Sequence, residues 1–98
     1  MRVNTLYGTK EVVTERGQQM ELRYYLVQES APESMAAADG FVTYGIGIIK
    51  SENGQEEREW LPGITHSVEQ AEELLRQMMA GLVTPTTAAA VADDWVGR

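Results

Sequence analysis

Short runs of alternating or continuous apolar residues fill the first two thirds of the chain, and apolar residues spaced three or four apart fill the last third. The first pattern belongs to strands and the second to amphipathic helices. Arg2–Thr14 reads as a first strand, broken near Gly8, where glycine can relax into a bulge. Glu15-Arg16-Gly17-Gln18 is a turn signal, and Gln19–Glu29 returns as the second strand. There Met20, Leu22, Tyr24 and Leu26 share one face, while Glu21, Arg23, Tyr25 and Val27 share the other. Ser30–Gly40 is a small, polar, proline-containing connection with room for a helical turn at Glu33–Ala38. Phe41–Lys50 forms the third strand and Asn53-Gly54 the hairpin turn behind it. Glu56–Leu61 is the last strand, ended by Pro62-Gly63.

Two helices follow. Ser67-Val68-Glu69-Gln70 fits a capping box, with Ser67 accepting from the Gln70 amide and the Gln70 side chain reaching back. Val68, Ala71, Leu74, Leu75, Met78, Met79 and Leu82 make one apolar stripe, and Gly81 stands where the helix should turn off. Glu72 and Arg76 are spaced for an i,i+4 ion pair on the outer surface. Thr84-Pro85 opens the second helix, whose stripe is Ala88, Val91, Ala92 and Trp95. The expectation is an α+β fold in a single domain over residues 1–98. Its four-stranded antiparallel meander lies within residues 1–61, and helices over 67–80 and 85–96 pack on one sheet face.

Composition removes several classes of function. No cysteine occurs in the 98 residues, so disulfides, thiolate nucleophiles and cysteine-held metals are excluded. A formal net charge of -7 argues against nucleic acid, which calls for clustered Lys and Arg. The longest apolar stretch, Tyr44–Ile49, is far short of the ~20 residues that span a bilayer, so a cytoplasmic protein with no membrane partner is expected.

Reactive groups are few. Tyr44-Gly45-Ile46-Gly47 holds a G-x-G, but inside a strand, with no third glycine and no helix behind it. The two glycines read instead as a place where an aromatic ring or a helix comes close. His66, the one histidine, precedes the Ser67 cap, and neither Ser51 nor Ser67 has nucleophile-elbow spacing around it. The Glu56-Glu57-Arg58-Glu59 run lacks calcium-loop spacing, and alternation sends Glu56 and Arg58 to one face, Glu57 and Glu59 to the other. No catalytic residue, cofactor site or metal site is therefore expected. Asp93-Asp94 near the end of the second helix is a local conflict, because the helix dipole disfavours anions there.

What stands out is apolar surface on both sides of the sheet. Leu22, Tyr24, Leu26, Val42, Tyr44, Ile46 and Ile48 should take the helices, which leaves Tyr25, Val27, Phe41 and Ile49 facing the other way. A sheet covered on one side usually shows polar residues on the other, so these four are candidate interface residues. Cover from within the chain, by the Ser30–Gly40 connection or the first strand, is the alternative.

The segments LRYYLV, YGIGIIK and LVTPTT, with the closing Ala92-Asp93-Asp94-Trp95, resemble a family of small uncharacterised proteins from Gram-positive anaerobes. The resemblance implies a bacterial cytoplasmic domain of unknown function and carries no site residues. The reading at this level is a non-enzymatic protein-interaction or regulatory module whose partner is another protein or a second copy in a homodimer. The alternative is a small-ligand binder or enzyme with a pocket between sheet and helices near Trp60, His66 and Asp94.

Overall fold

A computed structural model describes residues 1–30 and 42–97. The strands are β1 (Arg2–Val13), β2 (Gln19–Ser30), β3 (Val42–Glu52) and β4 (Gln55–Thr65). They form one antiparallel sheet in the order β1-β2-β3-β4. The helices α1 (Val68–Ala80) and α2 (Pro85–Val96) follow and pack on the sheet, which is the expected α+β meander.

Local chemistry sets both described hairpins. Asn53 and Gly54 take φ of 57° and 75°, the paired left-handed geometry whose twist matches that of the flanking strands. In the β1–β2 turn Gly17 is at φ 78°, and the Thr14 amide donates to the Gln18 carbonyl at 2.8 Å. The irregularity expected near Gly8 is a register shift between Leu6 and Gly8, with Tyr7 as the extra residue.

The helix-covered face supplies Leu22, Tyr24, Ile46 and Ile48, which close against Leu74, Leu75 and Met78 of α1 and Ala88 and Ala92 of α2. Each fully buried Leu or Ile contributes on the order of 1.5–3 kcal/mol, so this layer is the main source of stability. Leu26, expected in the same layer, packs half-buried at its margin, and Tyr44 is half-buried. The Tyr24 hydroxyl donates to the Val83 carbonyl at 2.7 Å, tying the middle of the sheet to the α1–α2 connection.

Several local expectations change. β4 does not end at Pro62-Gly63 but runs to Thr65, which pairs with Tyr44. Leu61 pairs with Ile46, so Pro62, Gly63 and Ile64 bulge opposite Gly45 alone. Proline lacks an amide hydrogen and Gly63 takes φ 69°, both tolerable in a bulged edge strand. A Cβ at Gly45 would collide with the Leu61 carbonyl oxygen, and its absence lets the bulge close over β3.

At the start of α1 the Gln70 amide donates to Ser67 Oγ at 3.2 Å, as the capping box requires. The return arm is relayed: the Ser67 amide donates to Thr65 Oγ1 at 3.1 Å, and the Thr65 hydroxyl donates to Gln70 Oε1 at 3.2 Å. At the other end the left-handed residue is Leu82, at φ 52°, and not Gly81, at φ -90°. The Val83 amide reaches the Met78 carbonyl at 2.9 Å and the Leu82 amide reaches that of Met79 at 3.2 Å, a Schellman closure one residue later than expected. Arg76 pairs with Glu73 at 2.7 Å rather than with Glu72, and its guanidinium also donates to the Tyr7 hydroxyl at 3.3 Å. The Glu73 carboxyl is held below its ordinary value, chiefly by that hydrogen bond from Arg76.

Candidate functional site

The face of the sheet turned away from the helices can be built row by row from the strand register. Residues directly opposite in neighbouring strands point to the same side. Because Ile46 and Ile48 face the helices, Gly47 faces away, and with it the row Leu6–Tyr25–Gly47–Trp60 across all four strands. Thr9–Arg23–Ile49–Arg58 and Glu11–Glu21–Ser51–Glu56 are further rows on this face.

Trp60 organises the middle of the face. Its ring lies over Gly47 so closely that a Cβ there would overlap the indole, which is why β3 carries glycine at this position. Tyr25 packs against it with ring centroids 5.4 Å apart and planes tilted by 59°. The Arg2 guanidinium stacks over the same ring at 5.6 Å. Leu6 completes the row and is 52% exposed. The result is an aromatic platform, edged by a cation, on the side of the sheet that carries no helix among the described residues; the connection expected to offer a helical turn or cover at 30–40 lies almost wholly outside them.

Beside the platform lies a charge network. Glu56 receives Arg58 Nη2 in a 2.6 Å contact, Arg23 Nη2 at 2.9 Å and the Ser51 hydroxyl at 3.3 Å. The Arg58 hydrogen bond is the largest reason that the Glu56 carboxyl titrates below its ordinary value. Arg23 Nε lies 3.3 Å from Glu21 Oε1 but is out of line for a hydrogen bond, and it is buried. On the opposite face Lys50 pairs with Glu57 at 3.2 Å, so the alternation read from the Glu56–Glu59 run holds.

The four candidate interface residues separate. Val27 is 0% exposed and Ile49 is 8% exposed, so neither offers contact surface. Tyr25 is half-buried under Trp60, and Phe41 lies outside the described residues. Trp60 and Leu6 belong to the same patch and were missed. The sequence signal for Trp60 was Gly47: a glycine amid Ile46, Ile48 and Ile49 marks a side chain lying across it.

Trp60, His66 and Asp94 are not gathered into one pocket. Trp60 is on the helix-free face, whereas the exposed Asp94 belongs to α2 on the other side. His66 sits just before the Ser67 cap, with Nδ1 3.3 Å from the Val42 carbonyl oxygen. Two open grooves border Ile64 and Val96. One, of about 480 Å³, is lined by Thr65, Gln70, Glu73 and Trp95; the other, of about 510 Å³, by Leu61, Pro62, Ala92 and Asp93. Neither is lined by Trp60, His66 or Asp94. Among the described residues no group of three His, Cys, Asp or Glu is placed to hold a metal ion, and no helix is long and apolar enough to cross a membrane.

The model of a family described as Family of unknown function (DUF6514) matches residues 3–98, and the chain belongs to that family. No curated protein and no solved structure matches it.

Proposed function

We propose that this member of the family is a protein-interaction module that presents the helix-free face of its sheet to a protein partner. The observation that carries the reading is the Leu6–Tyr25–Trp60 row with Arg2 stacked on it. Tyrosine, tryptophan and arginine are the side chains that anchor protein interfaces, because they bring large contact area and a polar handle. Here they are positioned before any partner arrives, since Gly47 beneath Trp60 and Tyr25 beside it restrict the indole. A preset surface loses less entropy on binding than one that must be ordered.

A small-ligand reading draws on the two grooves, whose volumes fall in the usual ligand range of roughly 300–1,000 Å³. Less supports it, because both grooves are open and the residues singled out for a pocket lie on different faces.

The test is capture of partners from the native host with three versions of the chain. Wild type and Ala90→Asp, altered on the exposed side of α2, should retain the same protein. Tyr25→Asp, shown by circular dichroism to be folded, should lose it. Equal retention by all three contradicts the reading.

A further inference from the structure

The two edges of the sheet are unlike. β4 carries Glu56, Glu57, Arg58 and Glu59 and then the Pro62-Gly63 bulge, all devices that stop another strand from adding on. β1 is twelve residues long, and its first half, Arg2–Leu6, has one charge, no proline and two exposed apolar side chains, Val3 and Leu6.

The hydrogen-bond phase of β1 fixes which of its groups are free to pair. Met1 and Ser30 exchange both main-chain bonds, at 2.8 and 3.0 Å. In an antiparallel ladder such pairs alternate, so Val3 and Thr5 bond to β2 while the amides and carbonyls of Arg2, Asn4 and Leu6 point outward. The Tyr7 bulge inverts the phase. Beyond it Gly8, Lys10 and Val12 point inward, and Thr9, Glu11 and Val13 point outward.

We propose that a second copy of this chain pairs antiparallel along β1, joining the two sheets into one of eight strands, with Arg2 opposite Glu11 and Asn4 opposite Thr9. Only outward-pointing groups can exchange bonds across such an edge, and opposed residues must share a face. This register meets both conditions on either side of its centre, where Leu6 and Tyr7, which meet there, lie on opposite faces and add no pair. Arg2, Asn4, Thr9 and Glu11 are all outward and all on the helix-free face, whereas Val3 and Lys10 meet on the other. Its two-fold axis falls between Leu6 and Tyr7, so the bulges of the two copies coincide there and the ladder stays in phase on either side of them. Charge is matched twice over, since each Arg2 faces Glu11 of the second copy. Among the described residues Glu11 has no ion pair, and Arg2 has only its Asn4 hydrogen bond and the Trp60 ring. Roughly eight main-chain hydrogen bonds would form. Pairing also sets two Leu6–Tyr25–Trp60 rows side by side on one continuous face. The inference deepens the interaction reading but stands or falls separately from it.

Sedimentation equilibrium is the experiment. Wild type is expected as a dimer of twice the 10.9 kDa chain mass, dissociating in the micromolar range. Asn4→Pro removes an outward amide that β2 does not use, so the monomer should keep its circular dichroism while association weakens ~10-fold or more. Glu11→Arg should weaken association similarly, and Arg2→Glu combined with Glu11→Arg should restore it. That exchange decides the matter even if the proline variant fails to fold. A monomeric wild type overturns the pairing and leaves the capture result with Tyr25→Asp untouched. A dimer indifferent to both Asn4→Pro and the charge exchange overturns it as well.

Discussion

Gly47→Ala probes the platform directly. A methyl at this position would occupy the space of the Trp60 ring, so the indole must leave its place over β3. Displacement forfeits the Tyr25 contact, ~0.5–1.5 kcal/mol, and the Arg2 contact, ~0.5–1 kcal/mol at an exposed site. Uncovering one face of the ring, on the order of 50 Å², adds about 1.2 kcal/mol. Alanine returns ~0.5–1 kcal/mol, because glycine is the more flexible residue in the unfolded chain. The net expectation is a destabilisation of roughly 1.5–3 kcal/mol, or a melting temperature lower by on the order of 10 °C for a domain of this size. Urea unfolding followed by far-ultraviolet circular dichroism measures it. The background matters more than the absolute figure. With Trp60→Ala in place there is no ring to displace, so adding Gly47→Ala should be neutral or stabilising by up to ~1 kcal/mol. A Gly47→Ala variant as stable as wild type, or an equal loss in both backgrounds, would refute the geometry.

Leu82→Gly should raise stability by about 0.5–1 kcal/mol despite the loss of a side chain. Leucine at φ 52° is strained by roughly 1–2 kcal/mol, and Leu82 is 42% exposed; a higher urea midpoint checks this, and a lower one counts against the strain. Tyr24→Phe should lower stability by roughly 1–2 kcal/mol near neutral pH, because it leaves the Val83 carbonyl without its donor. Burial pushes the Tyr24 phenol up from 10.0 to about 12, so its protonated form is the one the fold favours. That contribution is intact below pH 10 and lost as pH rises through 12, and a stability profile of wild type against Tyr24→Phe should converge across this window.

Much of the architecture was written in local pattern. The alternation of Leu22, Tyr24 and Leu26, the Asn53-Gly54 turn, the Ser67 cap and the Thr84-Pro85 start each point to one structure by short-range physics. Two of the three misreadings depended on a residue far away in the chain, and the third on how a helix end closes. Pro62-Gly63 looks like a strand end, yet Gly45 on the neighbouring strand leaves room for it to be a bulge. Gly81 looks like the left-handed cap, but the bonds to Met78 and Met79 place that conformation on Leu82. Arg76 prefers Glu73 to Glu72 because Tyr7 of β1 holds the same guanidinium. The two-sided apolar sheet was legible, and its division was not. Val27 and Ile49 are as apolar as Tyr25, and only the fold shows that they are enclosed while Leu6 and Trp60 share the surface with Tyr25.

Whether the helix-free face meets another protein can be read by site-specific photo-cross-linking in the native host. A photoreactive phenylalanine in place of Tyr25 keeps an aromatic ring beside Trp60, and the same group at Ala90 samples the exposed side of α2. A discrete protein adduct is expected from position 25 and none from position 90. No adduct at position 25, or the same adduct from both positions, would contradict it.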